Sequence, residues 1–305
     1  MPARTMRHLQ TFATLEDLRR HLARQTMVDV LCPGSPFRLD EHRWLRTTEG
    51  TFFISPRATA QLARWAGVSG RNATPERVNQ SLGAHPGRLR VRVQDGIAVA
   101  VLSAAYTPVA HLAVLDRLTV WPDLQLLEAW LTPHLLRLTL VMPKATVEPR
   151  VGDIVQAGVE VINSETGAAA LVYTGYLQRL ACANGALLSA RVGGRLRHHG
   201  HSPEWLLQRF QQGIGRLLLH LPELAPTLAR MAHTPLGASA HRQVRRQLVG
   251  LVGPRQTRTV LEGLTPQTSR YEAFNRITTL AQHYVLDRRR SLERLGGRLV
   301  DPYTR

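Results

Sequence analysis

The sequence predicts an α+β fold: an antiparallel sheet made of a hairpin plus a three-stranded meander, with helices packed on one face and a helical C-terminal third. Three observations predict it. Residues 89–94 and 97–103 are apolar-rich runs joined by Asp95-Gly96, the strongest short hairpin signal. Residues 134–179 hold three more β-type runs separated by turn residues. Beyond Ser202 the apolar residues recur three and four apart, as on a helix with one buried face.

Taken in order, residues 14–26 read as a helix. Thr14 can cap it, Asp17 stands at the third helical position, and Leu15, Leu18 and Leu22 share a stripe. Residues 36–56 are mixed, with a strand at 51–54. Ser55-Pro56 then opens a helix over 57–66 that Gly67 ends. In the hairpin, Arg88, Arg90 and Arg92 alternate with Leu89, Val91 and Val93, so cations and apolar side chains take opposite faces. A helix follows across 109–118. Residues 134–142 form a strand, and Pro143 and Pro149 bracket a loop. Residues 154–163 alternate up to a turn at 163–167, and 168–179 return as the third strand of the meander. Ser202 as N-cap, Pro203 at the first helical position and Glu204 at the positive end of the dipole open a long helix. Its core stripe is Leu206, Leu207, Phe210, Ile214, Leu217 and Leu218, and Pro222 stops it. Further helices are expected at 224–232, 238–250 and 270–290.

The chain divides into a mixed helical segment at 1–85, an α+β core at 86–235 with a basic loop at 185–201, and a basic helical region at 236–305. Hydrophobic residues make up 44% and charged residues 20%, a globular rather than a disordered balance. No apolar run approaches the roughly 18 residues of a membrane helix. The start lacks the apolar middle of a signal peptide, so a cytoplasmic protein is expected. Cys32 and Cys182 are too few for a disulfide framework or a four-cysteine metal site, and read as buried thiols. No cofactor is implied.

The net charge is +17, from 39 basic and 22 acidic residues, and Lys144 is the only lysine. A surplus this large repels itself and points to a polyanionic partner, nucleic acid first. It is uneven: residues 241–305 hold 13 arginines against 5 acids. A membrane surface fits less well, since no basic amphipathic helix carries a full apolar face with aromatic anchors.

Candidate phosphate contacts are the strand row Arg88, Arg90 and Arg92, then Arg179, Arg191, Arg195, Arg197, His198 and His199 in and before the glycine-rich loop, and Arg242, Arg245 and Arg246 at helical spacing. No acid lies between Glu165 and Glu204. Guanidinium forks and loop amides suit phosphate oxygens. The plainer reading of each group is a solvated face. Tyr106 and Tyr176 are candidates for base stacking; Tyr173 and Tyr176, three apart, face opposite ways on a strand. Zinc at His198, His199, His201 and Cys182 fits no ligand spacing, so no metal is assigned. Cys182 with Asn184-Gly185 reads as a buried thiol and a tight turn rather than a nucleophile. Asp153, Glu160 and Glu165 could hold magnesium in a nuclease, but Glu160 alternates with Val159 and Val161 and is expected to face solvent.

Several blocks resemble the phage/plasmid-like protein family, a domain of unknown function common in phages and plasmids. They are 97–103 with Tyr106; Val151-Gly152-Asp153 with Gly158; Asn163-Ser164-Glu165 with Gly167; 179–185; 197–200; and 271–275 with Thr278. Relatives carry a basic residue in the strand before Ser103, where this chain has Ala98 and Ala100. The resemblance implies a setting in mobile elements, hence recombination, repair or element maintenance. The β-β-β-α order of 134–220 is similar to the single-strand annealing proteins of the Rad-fifty-two type, which implies a homo-oligomer, even a ring. The expectation is therefore a nucleic-acid-binding protein without catalysis, single-stranded DNA favoured. A metal-dependent nuclease and a non-enzymatic partner-binding accessory protein are the alternatives.

Overall fold

The computed structural model describes residues 9–33, 37–68, 73–83, 87–181, 184–188 and 193–300. The chain begins with β1 (Gln10–Thr11) and α1 (Leu15–Ala23), whose N-cap Thr14 accepts a 3.0 Å hydrogen bond from the Asp17 amide. Next come β2 (Met27–Pro33), β3 (Arg38–Leu39), β4 (Trp44–Thr47) and β5 (Gly50–Ile54). Ser55 caps α2 (Pro56–Trp65), and α3 (Pro75–Gly83) follows. The predicted hairpin is β6 (Arg88–Gln94) and β7 (Ile97–Ser103). Asp95 at φ 50° and Gly96 at φ 77° make its two-residue left-handed turn, which matches the strands' own twist.

After α4 (His111–Leu118) come β8 (Gln125–Thr132), β9 (Leu135–Arg150), β10 (Asp153–Asn163), β11 (Leu171–Arg179), β12 (Asn184–Leu187) and β13 (Gly193–Leu196). The C-terminal third is helical: α5 (Pro203–His220), a 3-10 turn at Leu221–Glu223, α6 (Leu224–His233), α7 (Ala238–Leu261), α8 (Arg270–Ala281) and α9 (Leu286–Gly297). No helix among the described residues is long and apolar enough to cross a membrane.

The strands form two sheets, not one. The larger runs β1-β8-β9-β10-β11-β12, with β13 also on β11; the other runs β2-β6-β7-β5-β4-β3. The meander β9-β10-β11 is antiparallel as expected, whereas β5 pairs with β7 in parallel. Because β2 to β5 share a sheet with the hairpin, the expected boundary at 86 cuts through a sheet. The N-terminal segment is therefore half of an α+β layer and not a helical appendage. Its core is Cys32, Phe37, Leu45, Ile54, Leu62, Leu82 and Val91, under α2 and α3. The larger core joins the β8–β11 face to α1, α4 and the C-terminal helices.

Three further expectations are corrected. The strand of 134–142 runs on through Pro143 and Pro149. Pairing of β9 with β8 ends at Val141, and its pairing with β10 jumps from Val141 to Thr146, so both prolines lie beyond β8's end and Pro143 lies in the jump. The helix of 270–290 is two helices, α8 and α9, with a turn at 282–285 between them. The β-β-β-α order is interrupted, because β12 and β13 both pair with β11 before α5 begins.

Helices also cover both faces of the larger sheet. Phe210 of α5 packs on Tyr173, which shares a face with its cross-strand partner Val161. The alternate face carries Glu160, and that side chain is buried instead of solvated. Arg290 of α9 reaches Glu160 at 3.1 Å, Glu293 at 2.6 Å and Glu128 at 2.9 Å, and donates to Thr139 Oγ1 at 2.8 Å. Arg289 closes the network on Glu128 and Glu293. Burial opposes the Arg290 charge, but Glu160 and Glu293 outweigh it and raise its pKa. Burial raises the Glu160 pKa against the pull of the arginines. Such a network fixes where α9 docks more than it adds net stability.

Candidate nucleic-acid interface

The arginines expected to bind phosphate separate into two groups. The first is spent inside the protein. On β6, Leu89, Val91 and Val93 are buried as the alternation predicts. The opposite face meets carboxylates that sequence spacing hides. β2 pairs with β6 in a register that sets Asp29 across from Arg92. Asp29 pairs with Arg90 at 3.0 Å and with Arg92 at 2.8 Å, and Glu165 lies 3.5 Å from Arg92. Arg92 is only 4% exposed and also donates to the Glu165 carbonyl at 2.8 Å. It is a structural cation between the two sheets, not a phosphate contact. Arg88 is exposed and donates to the Leu31 carbonyl. Arg179 pairs with Asp153 at 2.5 Å, and Asp153 in turn accepts from the Tyr271 hydroxyl at 2.9 Å, so this arginine ties the β10–β11 end to α8.

His198 is likewise internal. It is 5% exposed, donates from Nδ1 to the Thr107 carbonyl at 3.1 Å, and stacks on Tyr106 with planes 13° apart. Burial lowers its pKa, which keeps the ring neutral. Tyr106 donates to the Ser164 carbonyl at 2.8 Å, and burial pushes its pKa up to about 12. Tyr176 is 1% exposed beneath Arg290. Tyr176 presents no ring to a base, so the stacking assignment fails there; Tyr106 is half-buried, with one ring face on His198. For Tyr176 the reason is that a second element, α9, invisible in local spacing, covers the strand face.

The second group is free. Arg195 and Arg197 are exposed and form no ion pair among the described residues; His199 beside them is exposed too. Arg242, Arg245 and Arg246 occupy the outer side of α7, opposite the buried Val244 and Leu248. Arg255 and Arg258, further along α7, are exposed and unpaired as well. No acid occurs from residue 224 to 261. Arg191 and Cys182 lie outside the described residues.

Sequence reasoning missed one exposed aromatic feature. His201 stacks on Trp205 with centroids 3.6 Å apart and planes 14° apart, and the Arg209 guanidinium lies 5.7 Å from the Trp205 ring centre. Trp205 is 37% exposed. The stack stands at the start of α5, just after Arg195 and Arg197. The four-residue spacings 201, 205 and 209 were the available signal.

The three carboxylates weighed for magnesium are far apart in role. Asp153 belongs to Arg179, Glu160 to Arg290, and Glu165 to Arg92. Among the described residues no group of three or more histidine, cysteine, aspartate or glutamate side chains could hold a metal ion. The likeness to phage and plasmid proteins rests on the quoted sequence blocks alone. Compared with family models, with curated proteins and with solved structures, the chain matches none of them.

Proposed function

We propose that this protein binds nucleic acid by its backbone, single strands in preference to duplex. The observation that carries the reading is α7: five exposed arginines without an ion pair among the described residues, Arg242, Arg245 and Arg246 before its kink at Gly253 and Arg255 and Arg258 after it, within 38 residues that contain no acid. A patch of fixed cations without internal counterions attracts polyphosphate and releases its condensed ions on binding. The preference for single strands comes from the exposed His201–Trp205–Arg209 stack next to Arg195 and Arg197. Single strands offer unpaired base faces to such platforms, whereas duplex bases are already stacked.

The test is fluorescence anisotropy with labelled single-stranded and duplex oligonucleotides of equal length over about 50 to 300 mM salt. A linear fall of log affinity with log salt is expected, with the single strand bound more tightly. Trp205→Phe should remove the oligonucleotide-induced quenching of tryptophan fluorescence and reduce the single-strand preference. No binding at the lowest salt would reject the reading and favour an acidic protein as the partner. Divalent-dependent cleavage of the oligonucleotide would instead establish an enzyme.

A further inference from the structure

Between the two sheets lies a cavity of about 470 Å³, distinct from α7 and from the α5 stack. That volume falls in the range of small-molecule sites. Its walls include Leu22, Met27, Leu112 and Leu131. Its polar floor is His111, Glu165 and Arg92.

The state of the floor can be derived. Asn163 donates through Nδ2 to the Val109 carbonyl at 2.8 Å, and a carbonyl can only accept, so the amide orientation is fixed. The same nitrogen lies 2.9 Å from His111 Nδ1. Nδ1 is therefore the acceptor, and the ring proton sits on Nε2. Burial pushes the His111 pKa down to about 4, so the ring stays neutral near pH 7. Among the described residues no group hydrogen-bonds to Nε2, and His111 lines the cavity, which leaves Nε2 as a donor there. Glu165 is anchored through Oε1, which accepts from the His111 amide at 2.5 Å. Among the described residues its Oε2 has only Arg92, 3.5 Å away, and keeps acceptor capacity. The charges on the floor cancel: Arg92 faces Glu165, and Asp29, outside the cavity lining, holds Arg92 from its other side. An incoming anion would have to displace Glu165 from Arg92, so a neutral ligand fits better.

A neutral ligand that uses this floor must accept from His111 and donate to Glu165, while Gln10, Gln25, Gln94 and Thr132 offer further polar contacts on the walls. A lactam edge, C=O beside N–H, has that pattern. We propose that the cavity binds a neutral lactam heterocycle, such as the uracil, thymine or hypoxanthine base of a nucleoside, with His111 Nε2 donating to the carbonyl and Glu165 Oε2 accepting the ring N–H. This inference does not depend on the arginines of α7.

The experiment is a thermal-shift and calorimetric titration of the full chain with uridine, thymidine and inosine. Controls are 3-methyluridine, whose lactam N–H is blocked, and ribose. At least one lactam nucleoside should raise Tm and give a saturable isotherm, with 3-methyluridine and ribose at least about tenfold weaker, because a site built to pair a polar edge rejects the analogue lacking it. His111→Phe should abolish the response. Should that variant fail to fold, Leu112→Trp, at a half-buried wall position, fills the cavity and must abolish it as well. Equal binding of 3-methyluridine, or no response to any of the three lactams, overturns the proposal. Arg242, Arg245 and Arg246 replaced together by alanine should leave this titration unchanged, which separates its failure from failure of the backbone-binding reading.

Discussion

Replacing Arg290 by methionine tests whether α9 is docked by charge. The substitution keeps much of the side-chain volume and removes the guanidinium. Glu293 retains Arg289 at 3.0 Å and Glu128 retains it at 3.1 Å. Glu160 retains only Arg137, at 4.0 Å, and is 3% exposed. The cost therefore falls on Glu160. A pair at 3.1 Å is worth about 5 kcal/mol at an effective dielectric of about 20, and breaking buried pairs costs about 3–5 kcal/mol by measurement. We expect a loss of about 3–5 kcal/mol in urea unfolding at pH 8. Its pH dependence follows from the raised Glu160 pKa, which rises further without Arg290. A carboxyl whose folded pKa exceeds its unfolded value, about 4.3, stabilises fully below that value and loses the contribution as pH rises. The deficit should thus be smaller at pH 5 than at pH 8. Adding Glu160→Leu removes the stranded charge and should recover at least half the loss. A deficit below about 1 kcal/mol, or one equal at both pH values, would refute this account of the network.

Other outcomes follow from the same structure. The lowered His111 pKa means the folded protein binds fewer protons than the unfolded chain, so stability drains away as pH falls from about 6.5 toward about 4. At about 1.4 kcal/mol per unit the ceiling is about 3 kcal/mol, and His111→Gln should flatten that part of the stability profile; an unchanged slope in urea titrations would contradict it. A Cβ at Gly297 would lie 1.7 Å from the backbone oxygen of Leu187, which cannot swing aside. Gly297→Ala should therefore push α9 off β12 and cost about 3 kcal/mol, and a variant within about 0.5 kcal/mol of the parent would show that the helix shifts freely.

Local signals were legible where they are self-contained. The Asp95-Gly96 hairpin, the Thr14, Ser55 and Ser202 caps, and the meander all depend on residues near one another in the chain. What escaped was set by partners far away. Asp29 meets Arg92 only because β2 adds to the hairpin, so two of the three cations in a row that reads as a cationic face, Arg90 and Arg92, are neutralised by Asp29 and Glu165. Glu160 has the alternation of a solvated position, and α9, 130 residues on, buries it. Tyr176 was lost as a stacking candidate for the same reason. The short strands β1, β3, β12 and β13 carry too few residues for a period to show. The α7 arginines are exposed as their spacing suggests, because among the described residues nothing covers that side of the helix and no acid lies nearby in sequence.

Binding of a single-stranded oligonucleotide by two triple variants bears most directly on that surface. One is Arg242→Ala, Arg245→Ala and Arg246→Ala; the other removes the same charge from the smaller sheet and its helices, through Arg46→Ala, Arg64→Ala and Arg77→Ala, all exposed. With about 0.7 counterion released per phosphate contact, the first should lower the salt slope by about 2 and the second should leave it within error of the parent. Equal slopes for the two variants would mean that α7 does not follow the phosphate backbone.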